Sequence, residues 1–132
     1  MPDAKPQPRD LKVRTREFAL RVIRLYGALP KKTESQVIGR QVLRSGTAVG
    51  ANYREGLRAR SKTEYAAKLN LGLMELEGTL YWLELLEHAQ IISGARLAGF
   101  MGETGELSAI FVTLIKQARS AAKLRTKVQT ES

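Results

Sequence analysis

The sequence has no cysteine and a single histidine, His88, among its 132 residues. The absence of cysteine excludes disulfides, cysteine-based zinc sites and cysteine nucleophiles, and one histidine excludes sites that need two imidazoles. The longest apolar runs are only a few residues, far short of a membrane span. Three of the four prolines fall in the first ten residues, which contain no apolar stretch of the signal-peptide kind. We therefore expect a cytoplasmic protein.

The composition is that of one globular domain with an excess of positive charge. Apolar residues make up 43% of the chain and charged residues 27%, and the formal net charge is +9. This charge is segregated along the chain. Residues 1–62 carry 15 basic and 5 acidic groups, residues 63–115 carry 2 and 7, and residues 116–132 carry 5 and 1.

Apolar residues recur at helical spacing in four segments, and no segment shows strand alternation. Short links between four helices predict an all-α, antiparallel up-down four-helix bundle over 11–124. We expect a disordered tail over 1–10, a frayed tail over 125–132, and a loop with one short turn over 90–105. The first predicted helix begins at Leu11 or Arg16 and ends before Pro30, and the second runs from Glu34 to Arg58 or Ala59. The third runs from Lys62 to Ala89, and the fourth runs from Glu103 or Glu106 to Lys123.

Two tetrapeptides have the sequence of a capping box, in which a hydroxyl and a carboxylate or amide satisfy free backbone N–H groups at a helix start. The first is Thr33 to Gln36 and the second is Ser61 to Glu64. They predict the beginnings of the second and third helices.

The second and third helices indicate close contacts. Three glycines in the second helix, at 39, 46 and 50, each cost about 1 kcal/mol relative to alanine, and close approach of another helix is the simplest compensation. In the third helix only Glu84 interrupts the apolar residues from Leu80 to Leu86, which predicts burial on most sides and contact with a second subunit. The residues assigned to that oligomer interface are Gly46, Gly50, Tyr53, Tyr81, Trp82 and Leu85.

Arginines of the second helix fall on one line, at offsets of 4, 10 and 4 residues. At about 100° per residue this line lies on the side of the helix away from its apolar stripe. Such a line attracts phosphate polyanions through counterion release, without reading bases. The alternative is a solvated face that keeps a small domain soluble. The predicted nucleic-acid-binding residues are Arg40, Arg44, Arg54, Arg58, Arg60 and Lys62, and weaker candidates are Arg21, Arg24, Lys116, Arg119 and Lys123.

Other chemistry has little support. Glu75, Glu77, Glu84 and Glu87 with His88 lack the Glu-x-x-His pair on each of two helices that a di-metal carboxylate site needs, so we expect no metal, no cofactor and no enzyme. We expect Glu84 to be partly buried and paired with an arginine of the second helix, Arg44 being one candidate, or of a neighbouring subunit. The GxxxG from Gly46 to Gly50 follows no strand, which indicates helix packing instead of a phosphate loop.

Two segments are distinctive: VIGRQVLRSGTAVGANYRE at 37–55 and LYWLELL at 80–86. Together they resemble the bacterial four-helix-bundle family of ribosomal-RNA intervening-sequence proteins, which are encoded in insertions in large-subunit ribosomal RNA genes and elsewhere. The resemblance covers about Phe18 to Arg119 and is most specific from Arg44 to Glu55. That family is similar to the accessory variability protein of diversity-generating retroelements.

The resemblance implies bundles that assemble into a homo-oligomeric ring, a homopentamer. Through the retroelement relative it implies binding of nucleic acid and of a reverse transcriptase by a basic surface. The expected partners are therefore the chain itself, RNA or DNA, and a reverse-transcriptase-like or other acidic protein. Our first hypothesis is a non-enzymatic, homo-oligomeric bundle that binds RNA or DNA with little sequence specificity. The alternative is a protein–protein interaction scaffold that binds no nucleic acid.

Overall fold

The computed structural model describes residues 10–131, and in that range it contains four helices and no strand. The all-α prediction is confirmed. The tail predicted over 1–10 lies outside the described residues except for Asp10, which begins the first helix. Among residues 10–131 no helix has the length and apolar character needed to cross a membrane. The helices are α1 Asp10–Ala28, α2 Thr33–Leu57, α3 Lys62–His88 and α4 Gly94–Glu131.

One hydrophobic core joins all four helices. Each helix buries one stripe of apolar side chains, and each large aliphatic side chain removed from water stabilises the fold by about 1.5–3 kcal/mol. Two aromatic pairs cross the core: Phe18 meets Phe100 edge to face at 5.2 Å, and Tyr53 lies 6.0 Å from Phe111. The most completely buried large side chains are Leu11, Phe18, Val22, Val42, Tyr53, Leu69, Leu76, Leu83, Leu86, Leu97, Leu107 and Phe111.

The helix α1 comes closest to α2 at the glycines of α2. A Cβ atom at Gly46 would overlap Val22, one at Gly39 would overlap Leu29, and one at Gly50 would lie 3.0 Å from Thr15 Oγ1. The close approach expected from the sequence is confirmed. Residue numbers therefore rise along α1 as they fall along α2.

The assignment of Gly46, Gly50 and Tyr53 to an oligomer interface needs correction. Both glycines are buried under α1, and the side chain of Tyr53 has no exposed surface. These three residues belong to the core of the single chain and offer no surface to a second copy. The sequence pattern marks burial but does not distinguish a neighbouring helix of the same chain from one of another chain.

Polar contacts join α2 to α3. The hydroxyls of Ser45 and Thr79 are 2.7 Å apart in the buried interface, and Lys68 Nζ lies 3.0 Å from Glu55 Oε1 at its exposed edge. When Ser45 donates to the carbonyl of Gln41, Thr79 can donate to Ser45 Oγ, so both hydroxyls have a hydrogen-bond partner inside the core. Here too the residue numbers rise along one helix as they fall along the other.

The two capping predictions have different outcomes. Ser61 caps α3, since its Oγ accepts the backbone N–H of Glu64 at 3.0 Å. At α2 the cap is Lys32 and not Thr33, which is already helical. Gln36 does not reach back to the helix start. Its side chain instead accepts from the Tyr26 hydroxyl and donates to the carbonyl of Pro30, each at 2.9 Å, tying α2 to the end of α1.

The loop predicted over 90–105 is wrong, because α4 begins at Gly94. The glycines at 99, 102 and 105 lie on its exposed side, where they do not interrupt the buried positions Leu97, Phe100, Thr104 and Leu107. These four buried positions are spaced by 3, 4 and 3 residues, which is helical spacing. At the other end, the segment predicted to fray, 125–132, is helical as far as Glu131, and side chains 123–130 are exposed.

We expect Gly46→Ala to lower the free energy of unfolding by about 1–3 kcal/mol, because the added methyl group forces Val22 out of a packed position. Gly105→Ala is the matched control. It lies in a helix with no atom near its Cβ position, so it should raise stability by about 1 kcal/mol. Urea unfolding measures both. Equal effects at the two positions would contradict the close approach of α1 and α2.

Burial, together with the charge of Tyr65, raises the pKa of Tyr53 from 10.0 to about 12. The folded chain therefore holds the phenolic proton more tightly than the unfolded chain. The stability contributed by neutral Tyr53 is fully present below pH 10 and is lost as the pH rises to 12, a fall of about 2–3 kcal/mol. Urea unfolding between pH 9 and about 12 measures this slope. Tyr53→Phe should remove most of it, whereas Tyr81→Phe, at an exposed position, should keep it.

Candidate nucleic-acid interface

The arginines of α2 occupy its outer face. Arg40, Arg44 and Arg54 of α2 and Arg58, which caps its C-terminal end, are named here the α2 row. All four are exposed, and the buried residues of α2 lie on the opposite side. The buried stripe produces this arrangement, because packing Val42 and Val49 into the core turns positions about 200° away toward solvent. The placement predicted for these four residues is confirmed.

One member of the α2 row has a carboxylate neighbour. Arg44 Nη1 lies 3.2 Å from Glu75 Oε2 on α3, and the two side chains are 60% and 25% exposed. An ion pair this exposed is worth at most about 1 kcal/mol, so a polyanion can compete for the guanidinium. Within residues 10–131 no carboxylate pairs with Arg40, Arg54 or Arg58. The row therefore presents three free guanidinium groups and one held weakly.

Within one chain, Glu84 is not the partly buried partner of a second-helix arginine, and its pairing with an arginine of a neighbouring subunit stays a prediction. Its side chain is exposed, and the glutamate that pairs with Arg44 is Glu75. Glu84 lies on the outer side of α3, while Leu83 and Leu86 face the core. The apolar run at 80–86 is apolar on two sides of the helix, and only one of those sides is buried in this chain.

Cations continue from the α2 row around the turn into α3. Arg60 and Lys62 are exposed there. Together with Tyr65 of α3 and Arg125 of α4, they line a cavity of about 340 Å³. We name Arg60, Lys62 and Arg125 the turn patch. The sequence prediction missed Arg125 because it ended the last helix at Lys123. The signal available was the lack of glycine and proline after that residue, which permits the helix to continue.

A separate group of arginines lies between α1 and α4. Arg21, Arg24 and Arg96, named here the α1/α4 patch, line a cavity of about 220 Å³ whose floor is apolar. The Arg21 guanidinium lies 5.0 Å from the centroid of Phe100, a cation–π contact. Arg96 was not among the predicted residues, since it fell in the predicted loop. The remaining weaker candidates Lys116, Arg119 and Lys123 are exposed on α4, and they are not part of the α2 row.

The geometry can be compared with known proteins. The family described as 23S rRNA-intervening sequence protein matches residues 9–113 of the chain. The chain belongs to this family. It is also similar to a solved structure from Bacteroides thetaiotaomicron, a protein of unknown function from the S23 ribosomal protein family. That sequence is 36% identical, and the match covers 80% of this chain and 97% of that one with a TM-score of 0.75. No curated protein matches the chain.

Membership confirms the resemblance to the intervening-sequence family and agrees with the four-helix fold. Other cations of this family member have structural roles. Arg14 is largely buried and donates to Glu103, with Glu106 also 2.9 Å away, so it joins α1 to α4. Burial lowers the pKa of Arg14, but the two glutamates outweigh burial and the net pKa is raised. Arg14 is therefore unavailable to a polyanion, whereas the pair of Lys68 with Glu55 is as exposed as that of Arg44 with Glu75.

The carboxylates do not form a metal site within the described residues. No three His, Asp or Glu side chains among residues 10–131 come close enough together to hold an ion. His88 is exposed in the last turn of α3, a position where a cation is favourable, and Glu77 and Glu84 point to solvent. Asn52 donates to the carbonyl of Ala48 at 3.0 Å, a local helix contact.

We expect Glu75→Gln to strengthen polyanion binding, because it frees Arg44 and removes a negative charge beside the α2 row. Affinity for an RNA duplex at low salt should rise by up to about fivefold, the equivalent of a surface ion pair. Glu106→Gln makes the same charge change on α4, where Arg14 keeps Glu103 as a partner. Fluorescence anisotropy measures both affinities. An equal increase for both variants would mean that net charge and not the α2 row determines binding.

Proposed function

We propose that this intervening-sequence family member is a non-enzymatic, cytoplasmic protein that binds RNA or DNA with little sequence specificity. In this proposal it acts as a homo-oligomer of antiparallel up-down bundles. The observation that carries the proposal is the α2 row, in which four exposed arginines lie on one side of α2 and its C-terminal cap, and among residues 10–131 only the half-buried Glu75 pairs with one of them.

The length of the α2 row suits a phosphate backbone. Arg40 and Arg58 are separated by 18 positions, or roughly 27 Å along a helix, which matches about eight base pairs of duplex. The positions between the two pairs of arginines hold Thr47 and Ala51, whose small side chains let a backbone come close. The turn patch extends the positive surface beyond Arg58.

Low specificity follows from the type of contact. Guanidinium groups that project from one straight helix face meet phosphates along a groove edge, and such contacts position a protein without reading sequence. Binding of this kind is driven by counterion release, so it weakens steeply as salt rises. The planar fork of arginine suits phosphate oxygens better than the lysine ammonium does.

Two features support the proposed assembly. The order of contacting residues between α1 and α2, and again between α2 and α3, is the order of an up-down bundle. Tyr81 remains 53% exposed, and Trp82 and Leu85 are half-buried, so these residues of the predicted interface are accessible to another copy. A ring of five copies is the assembly that the family resemblance implies.

A second candidate function is a scaffold that binds an acidic protein, including a reverse-transcriptase-like one. The α1/α4 patch favours it, because three arginines there surround an apolar floor that includes Leu97 and Phe100. That combination suits an acidic segment with apolar side chains better than a bare phosphate backbone. Under this function, nuclease treatment would leave a copurifying protein in place and binding of generic RNA would be absent.

The test replaces three free arginines of the α2 row together: Arg40→Gln, Arg54→Gln and Arg58→Gln. Binding to a generic RNA duplex and to a DNA duplex of the same length is measured across a salt series. We expect an affinity loss of more than tenfold at low salt and a salt slope lower by about 2–3, since roughly one counterion is released per phosphate contact.

The control removes the same charge from α4 with Lys116→Gln, Lys123→Gln and Lys127→Gln, all exposed positions. It should cost less than about threefold in affinity, because the α2 row is intact. Circular dichroism checks that both triple variants fold. Binding that is absent at low salt in the unaltered protein, or that falls equally in both variants, would refute the proposed role of the row.

A further inference from the structure

Large apolar side chains are exposed on the outer faces of α1 and α3. On α1, Val13, Leu20 and Ile23 are 48%, 39% and 50% exposed. On α3, Leu71, Met74 and Tyr81 are 45%, 57% and 53% exposed. Single exposed apolar residues are ordinary, but contiguous rows mark contact surfaces. Each helix has another apolar stripe in the core, so each is apolar on two opposite sides.

The two rows have the same spacing. The α1 outer face consists of positions 13, 16, 20, 23 and 27, of which position 16 is an arginine, and the α3 outer face consists of positions 71, 74, 78, 81 and 85. Both follow steps of 3, 4, 3 and 4, which is the seam spacing of helices that pack side by side over several turns. Each row is about 21 Å long. Two helices with matching seams can interlock along their whole length.

Each outer face contains a glycine that the single chain does not explain. Gly39, Gly46 and Gly56 each face a side chain that an added Cβ would strike, so the fold requires them. Gly27 and Gly78 have no atom within 4 Å of the Cβ position, although glycine inside a helix destabilises it relative to alanine. A gap beside exposed apolar residues is suited to a side chain from another helix.

The charges beside the two outer faces have opposite sign. On α1, exposed Lys12 and Arg24 beside the outer face and Arg16 within it outnumber Glu17. On α3, Glu77 and Glu84 are exposed, and the helix has no lysine or arginine after Lys68. Pairing either face with itself would bring like charges together, whereas pairing α1 with α3 brings opposite charges together. The acidic side of α3 also disfavours nucleic acid as its occupant.

We infer that the α1 outer face of one copy packs against the α3 outer face of the next, in a head-to-tail contact. This inference rests on the homo-oligomer in the proposed function and names its interface. In one chain α1 and α3 pack on opposite edges of the buried side of α2, so a copy can use both outer faces at once. A contact between different surfaces generates a closed ring or an open chain, depending on the rotation between copies.

The test uses two variants, each with one altered face. The α1 variant carries Leu20→Gln and Ile23→Gln, and the α3 variant carries Met74→Gln and Tyr81→Gln. All four positions are exposed, so folding should be unaffected, and circular dichroism checks this. Molar mass by light scattering at about 50 μM, where a micromolar contact is saturated, should give an oligomer for the unaltered protein and monomers for each variant alone.

An equimolar mixture of the two variants should form a dimer and nothing larger, because one intact α1 face and one intact α3 face remain. If either variant alone still forms dimers, the contact pairs a face with itself and the inference is overturned. If both variants keep the mass of the unaltered protein, the inference fails and the proposed homo-oligomer stands. If the unaltered protein is a monomer, both fail, and the salt-dependent RNA binding of the α2 row is tested independently of this result.

Discussion

The contact between α1 and the glycine edge of α2 is the constraint on which the rest of the structure depends. Val22 occupies the space where Gly46 has no side chain, and Leu29 does the same at Gly39. This contact sets the rotation of α2 about its own axis, because only one edge of the helix lets α1 come so near. With that rotation set, Val42 and Val49 enter the core and the α2 row faces solvent. The positive surface is therefore a consequence of packing and needs no separate contact to hold it outward.

The sequence predicts the features that depend on one helix alone. Periodicity places the α2 row, and the Ser61 cap follows from a local hydrogen bond to Glu64. It fails where the outcome depends on a neighbouring helix. The partner of Arg44 is Glu75 because α3 brings that residue beside it, while Glu84, inside the apolar run from Leu80 to Leu86, faces solvent. Likewise, the glycines of α4 indicate a loop by sequence, and only the packing of α4 shows that they lie on its exposed side. The turn patch was missed in part, because Arg125 depends on the length of α4 and on its approach to the α2–α3 turn.

The four helices divide the charge in a way that the net value of +9 conceals. The outer side of α2 is cationic, while the outer side of α3 is apolar and acidic between Leu69 and Glu87. Repulsion within the excess positive charge would be weaker if it were spread evenly, and a dispersed charge would serve solubility equally well. Concentrating the positive charge on α2 increases the repulsion among its arginines, and a functional benefit can offset that cost. Glu75 relieves part of that cost at Arg44 without burying the guanidinium, so under the proposed function a polyanion can displace Glu75.

Head-to-tail assembly would increase the effect of a short arginine row. One row makes few phosphate contacts, and binding through so few charges is weak at physiological salt. In the proposed assembly, copies related by repeated rotation would present equivalent α2 rows, because α2 lies between α1 and α3 and its outer face would stay uncovered. A nucleic acid long enough to reach two rows gains from the high effective concentration of the second one, and avidity then exceeds the affinity of a single row by orders of magnitude. On this argument the low specificity and the assembly that we propose have one origin: a single helix face offers too little charge to act alone, and repetition would supply the remainder.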